Sequence, residues 1–122
     1  MFRSGAISLA GMAVLAGAVT SGHASEVNLV LPGEQEVEEI RVDYDCGAFQ
    51  MTVDYVNAGP VSLAVFVVDD RPVVASNVIS GSGARYAGDA FVWWTKGKTA
   101  SLFDLAAGED APPRAECEEI SG

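Results

Sequence analysis

Two short stretches hold the residues best equipped for chemistry: Ser80-Gly-Ser-Gly-Ala-Arg-Tyr86 and Trp93-Trp-Thr-Lys-Gly97. Gly81 and Gly83 permit backbone conformations closed to other residues and leave the chain bare. Ser80 and Ser82 then present hydroxyls that both donate and accept hydrogen bonds. Arg85 and Tyr86 follow directly and anchor the far end of the loop. In the second stretch, Thr95-Lys-Gly97 reads as a hairpin tip that carries an ammonium, Lys96, into solvent. Trp93 and Trp94 alternate across their strand, so one fills the core and the other stiffens the outer side. On spacing alone, Lys96 is a solubilising lysine and 80–83 an ordinary connection. An ammonium between two indoles and a glycine also suits an anionic partner.

Little else in the chain invites catalysis. The one histidine, His23, lies in a leader-like segment, and no Gly-x-Ser-x-Gly elbow is present. Ser80-Gly-Ser-Gly83 superficially resembles a phosphate loop, but the Gly-x-x-x-x-Gly-Lys-[Ser/Thr] spacing is missing and no helix is expected after it. The many carboxylates include no pair that spacing singles out for glycosidase chemistry. Asp69-Asp70 and the 34–39 Glu run lack calcium-loop spacing and read as solvated acidic turns. The residues therefore favour a non-enzyme that needs neither metal nor cofactor.

Residues 1–24 have the layout of a secretory leader: Met1-Phe-Arg3, an apolar run from Ala6 to Val19, and small residues up to Ala24. The run of roughly 14 residues is shorter than the ~20 of a membrane span. No cysteine stands near the expected cleavage point to accept a lipid. The expected mature chain is exported, soluble and free of a stable membrane anchor. Once Arg3 leaves, six Lys and Arg face seventeen Asp and Glu, a net charge of −11. Nucleic acid is a poor partner for such a surface; a basic protein is a better one. Cys46 and Cys117 are the only cysteines, and in an exported chain one disulfide is the default.

What remains is enough for one small domain. Phe49, Met51, Val53 and Tyr55 alternate with polar residues, as in a half-buried strand. Further strands are expected at 37–44, 61–68, 73–79, 90–94 and 98–105, with turns at 57–60, 69–72, 87–89 and 95–97. The 61–68 run is apolar on both faces, which predicts a central strand or one pressed against a neighbour. Residues 25–37 form an acidic arm or an edge strand, and 107–116 a loop leading back to Cys117. Short strands at spacings near ten residues predict an all-β, antiparallel sandwich or small barrel.

Together, Asp43-Tyr-Asp-Cys46, Val53-Asp-Tyr-Val-Asn57, the 80–86 and 93–97 stretches with Ala100 and Leu102, and Cys117 resemble the bacterial inhibitors of chicken-type (c-type) lysozyme. This family has a membrane-bound lipoprotein form and a soluble periplasmic form. The resemblance covers about 38–118, and the order Cys, Ser-Gly-x-x-Tyr, Trp-x-Lys-Gly, Cys makes it fairly specific. It implies an eight-stranded antiparallel barrel over 38–122, closed by a Cys46–Cys117 disulfide, with two loops carrying the inhibitory residues. On this chain those are Ser82 and Lys96, accompanied by Gly83, Arg85, Tyr86, Ser80 and Thr95. Ser82 is preferred to Ser80 because Gly83 and Tyr86 complete the pattern from it. The implied partner is c-type lysozyme and the implied compartment the periplasm. A binding or envelope-structural module not directed at lysozyme is the alternative, and a homodimer stays open.

Overall fold

The computed structural model describes residues 24–121. The leader read over 1–24, apart from Ala24, lies outside them, as does His23. Residues 24–36 form no strand, and β1 begins at Val37. No helix among the described residues is long and apolar enough to cross a membrane.

Eight strands run β1 (Val37–Asp45), β2 (Gln50–Ala58), β3 (Val61–Val68), β4 (Arg71–Val78), β5 (Ala84–Gly88), β6 (Phe91–Lys96), β7 (Thr99–Asp104) and β8 (Ala115–Glu119). Each pairs antiparallel with its sequence neighbour, and β8 returns to β1, closing the barrel. The connections are short because the chain simply meanders. Asp69-Asp70, with φ of 51° and 64°, makes the two-residue β3–β4 turn in the left-handed geometry that suits strand twist. A single 3-10 turn, Leu105–Ala107, opens the one long connection; the Asp104 carboxylate caps it by accepting from the Ala106 N–H.

The alternation expected along β2 is present: Met51 and Val53 point inward and are buried. Phe49 falls outside the strand and is exposed. In β3, Ala64, Phe66 and Val68 fill the core, whereas the opposite face, with Val65 and Val67, turns outward and Val67 is 57 % exposed. The doubly apolar run is therefore a barrel strand covered on one side only. A second correction concerns 87–89, expected as a turn. Ala87 and Gly88 belong to β5, and the turn falls at Asp89-Ala90. The reason is local: a Cβ on Gly88 would drive into the Val74 carbonyl, so only glycine lets β4 and β5 approach this closely.

The core centres on Trp93, fully buried, with Tyr44 edge-on to it at 5.0 Å and Phe66 tilted against it at 5.9 Å. Its indole N–H donates to the Tyr55 hydroxyl (2.8 Å), which shares a 2.7 Å hydrogen bond with the Tyr44 hydroxyl. Burial pushes the Tyr44, Tyr55 and Tyr86 phenols above their ordinary range, so they remain neutral donors and acceptors.

The seam between β1 and β8 is short: only Tyr44 opposite Glu119 and Asp45 opposite Glu118 are in register. The next position along that register is Cys46 opposite Cys117, which are disulfide-bonded across a sequence separation of 71. A covalent bond thus completes the weakest junction of the barrel. Closing a loop of this length stabilises a domain by about 4 kcal/mol in the chain-entropy account. Replacing both cysteines by alanine is expected to remove most of that. Urea midpoints of native and double-alanine protein measure it; equal midpoints would exclude a structural role for the bond.

Candidate functional site

The meander sends the β2–β3 turn, the β4–β5 loop and the β6–β7 turn to one end of the barrel, with the start of β1 and the end of β8. Both sequence-singled stretches meet there. Ala84 lies opposite Thr95 and Arg85 opposite Trp94, so the loop that ends at Gly83 adjoins the strand that ends at Lys96. Lys96 in turn faces Thr99 across the Gly97-Lys98 turn, and the Thr99 hydroxyl donates to the Lys96 carbonyl (3.0 Å).

Trp94 joins the two elements. Its indole N–H donates to the Ser82 carbonyl (2.8 Å), and the Lys96 ammonium lies 4.7 Å from its ring centroid. The Arg85 guanidinium sits 5.7 Å from the same ring, and Phe103 supports it at 6.4 Å. One outward aromatic therefore fixes the serine loop by a hydrogen bond and holds the lysine by a cation–π contact. That the two tryptophans face opposite ways is legible in the sequence; that Trp93 is the inward one and Trp94 the outward one comes from the fold. The link from Trp94 to Ser82 needs the strand register, which the sequence does not show.

The two serines divide their duties. The Ser80 hydroxyl donates within the loop, to the carbonyls of Ser82 (3.1 Å) and Gly83 (3.2 Å). Ser82 is exposed and uses only its carbonyl, so its hydroxyl makes no hydrogen bond among the described residues. Gly83 has φ +65°, and a Cβ there would strike the Thr95 carbonyl and crowd the Lys96 stem. Backbone conformation and close approach both require glycine. Tyr86 is buried in the core behind the loop. Thr95 is half-buried, its hydroxyl reaching the Ala84 carbonyl at 3.4 Å.

Charge is segregated as well. Arg41 pairs with Asp54 (2.7 Å), Arg71 with Asp89 (2.8 Å) and Arg114 with Asp69 (2.6 Å) and, more loosely, Asp104. These exposed bridges contribute little stability, but they cancel those cations. Arg85, Lys96 and Lys98, the remaining described cations, form no ion pair among the described residues. All three lie on the loop-bearing strands and turn. An acidic protein thus keeps its uncancelled positive charge at one spot, beside an exposed hydroxyl.

Residues 44–111 match the family model described as membrane-bound lysozyme-inhibitor of c-type lysozyme. A protein of that name from Pseudomonas aeruginosa is 43 % identical over 93 residues, covering 75 % of this chain and 73 % of its own. Its counterpart in Cupriavidus necator is 41 % identical over 101 residues, covering 80 % and 78 %. The chain belongs to this lysozyme-inhibitor family. Among solved structures, Pseudomonas aeruginosa MliC in complex with hen egg white lysozyme superposes with a TM-score of 0.67 at 40 % identity. That match covers 81 % of this chain and all of the other. PliC-St, the periplasmic lysozyme inhibitor of C-type lysozyme from Salmonella typhimurium, gives 0.56 at 25 % identity, covering 70 % and 100 %.

The geometry makes Trp94 and Gly83 the supports of the site. Trp94→Phe keeps a ring under Lys96 but removes the N–H that holds Ser82; it is expected to cost about 1 kcal/mol. Gly83→Ala is expected to cost on the order of 2 kcal/mol or more, through strain and the Thr95 contact. Thermal unfolding measures both, and amide hydrogen exchange at 80–83 should accelerate in each variant. Native exchange rates in Trp94→Phe would mean that the indole does not hold the loop.

Proposed function

We propose that this protein is a non-catalytic inhibitor of c-type lysozyme, which plugs the enzyme's cleft with the Ser82 loop and the Lys96 tip. The observation that carries the reading is the uncancelled cation cluster beside an exposed hydroxyl, on a rigid end of an otherwise acidic barrel. Membership of the lysozyme-inhibitor family supports the choice of partner.

The chemistry follows from what such an enzyme needs. A retaining glycosidase works with one protonated carboxylic acid and one ionised carboxylate on either side of the scissile bond. The Lys96 ammonium, delivered between them, pairs with the ionised group. It also favours loss of the proton from the general acid, because a nearby cation lowers a carboxyl pKa. The Ser82 hydroxyl donates to either carboxylate. Ser80 and Gly83 hold the loop shape, Arg85 and Trp94 stiffen the tip, and Tyr86 and Thr95 anchor both to the barrel. The loops also occupy space that substrate would take. Desolvated, charge-assisted hydrogen bonds at an interface centre are the strong kind. The acidic body speeds encounter with a basic enzyme, and this steering weakens with salt.

Turbidity assays of cell-wall lysis test the reading. Native protein is expected to inhibit a c-type lysozyme. Lys96→Ala and Ser82→Ala should each weaken inhibition by roughly tenfold or more with unfolding temperatures unchanged. A double variant that inhibits as well as the native protein would sink the mechanism.

We also propose that residues 1–24 are a cleaved leader, that 38–122 form the inhibitor domain, and that the mature protein is soluble in the periplasm. Both cysteines of the sequence are engaged in the disulfide, so neither is available to carry a lipid. Osmotic shock is expected to release the protein with the periplasmic fraction, beginning at Ser25. Recovery with the membranes would refute the soluble form.

A further inference from the structure

The seam between β1 and β8 is not only short but stops early. β1 pairs with β2 along nine residues, yet meets β8 only at Tyr44 and Asp45. The Ile120 N–H still donates to the Asp43 carbonyl (2.9 Å); before Asp43, β1 has no β8 partner, and a shallow, open depression of 280 Å³ lies at the loop-bearing end. Ile40 and Val42 of the overhanging β1 form one side, and the Thr95–Gly97 stretch lies across from them. Tyr44, Tyr55 and Tyr86 supply the aromatic floor.

Among the residues lining this mouth, Glu119 alone carries a charge. Its position is unusual. On β8 the inward parity runs Ala115, Cys117, Glu119, and the first two are buried in the core. An inward carboxyl group loses hydration and is ordinarily matched by a cation. Glu119 is half-buried and forms no ion pair among the described residues. The neighbouring tyrosines supply no positive charge in either protonation state, and burial keeps their phenols neutral.

We propose that this mouth receives a cationic side chain, lysine or arginine, from the bound lysozyme, with Glu119 as its counter-charge and the half-buried Tyr55 beside it. The proposal rests on reading the chain as a lysozyme inhibitor, and it adds a second contact to that interface. The Glu119 carboxylate takes a charge-assisted hydrogen bond from a partly desolvated ammonium or guanidinium. Because Gly97 lines the mouth and directly follows Lys96, an enzyme gripping the Lys96 tip lies across the opening. The two contacts have opposite polarity: Lys96 offers a cation to the enzyme, and the mouth accepts one from it. Such a pair fixes the orientation of a complex as well as its affinity.

Glu119→Gln tests the idea, with Glu118→Gln as control. Glu118 is exposed on the opposite parity of the same strand and does not line the mouth, so its variant changes net charge equally. Calorimetric titration of lysozyme is expected to show about tenfold weaker binding for Glu119→Gln and little change for Glu118→Gln. The Glu119→Gln loss should persist at high salt, where long-range steering is screened. Equal effects in the two variants, or native affinity in Glu119→Gln, overturn the proposal. If Lys96→Ala still weakens binding in that case, the inhibitor reading stands without it. Failure of native protein to bind lysozyme at all would remove both. A second measurement does not depend on the folding of any variant. Native inhibitor is titrated with lysine-acetylated and, separately, arginine-blocked lysozyme. One modification is expected to lower affinity about tenfold at high salt, and native affinity for both overturns the proposal.

Discussion

Barrel closure is the constraint on which the rest of the molecule depends. A meander of eight short strands has two edges, β1 and β8, and an open edge invites pairing with other chains. Here the edges meet over two register positions only. The Cys46–Cys117 disulfide continues that register as a covalent third rung. It lies just past the end of β1, with Cys117 facing Ala100 at the base of the β6–β7 turn, so it holds the seam where the strands do meet and leaves the start of β1 without a β8 partner. The same short seam that needs a disulfide therefore creates the open mouth at Glu119. Stability and accessibility are settled by one decision about where β8 stops.

With the barrel closed, its interior becomes a rigid back-plate. Trp93 fills the centre and ties itself to Tyr55 and Tyr44 through polar atoms, which leaves the indole little freedom to rotate. The next residue, Trp94, is displayed on the outside at a height set by its buried neighbour. This is how a core contact reaches the surface: two successive residues of a strand face opposite ways, so fixing one fixes the other. Trp94 then restrains Ser82 through its N–H and Lys96 through its ring. Loops restrained before binding lose less entropy on binding, which the proposed role of the Ser82 hydroxyl and the Lys96 ammonium requires.

Much of this was legible in the sequence because a small barrel obeys a period of two. The alternation around Met51 and Val53, the run at 61–68, the parity of Trp93 and Trp94, and the paired cysteines all translate directly into positions in the fold. Ser82 and Lys96 stand out because small residues and an ammonium at a hairpin turn are conspicuous in an acidic chain. Three features were less accessible, each for a physical reason. The Ala87-Gly88 pair resembles a turn, and only the close approach of the Val74 backbone explains why a strand prefers glycine there. The outward half of 61–68 suggests a covering layer, whereas a closed barrel covers one face only. The bond from Trp94 to Ser82 joins residues 12 apart, a distance that only the β5–β6 register turns into contact.

Glu119 shows a different limit. Its inward parity follows from counting two residues on from Cys117, so its direction is readable. What counting cannot supply is that β1 runs on past the Ile120–Asp43 hydrogen bond with no β8 partner, so that the carboxyl group lies beside an open depression instead of a packed core. The cost of turning a carboxyl inward depends wholly on that difference. In a sealed barrel an unmatched Glu119 would be strongly destabilising; at a mouth it keeps part of its hydration until a cation replaces the water. A charge tolerated in the free protein and better satisfied in a complex contributes to binding more than to folding. That asymmetry distinguishes a residue retained for a partner from one retained for the core.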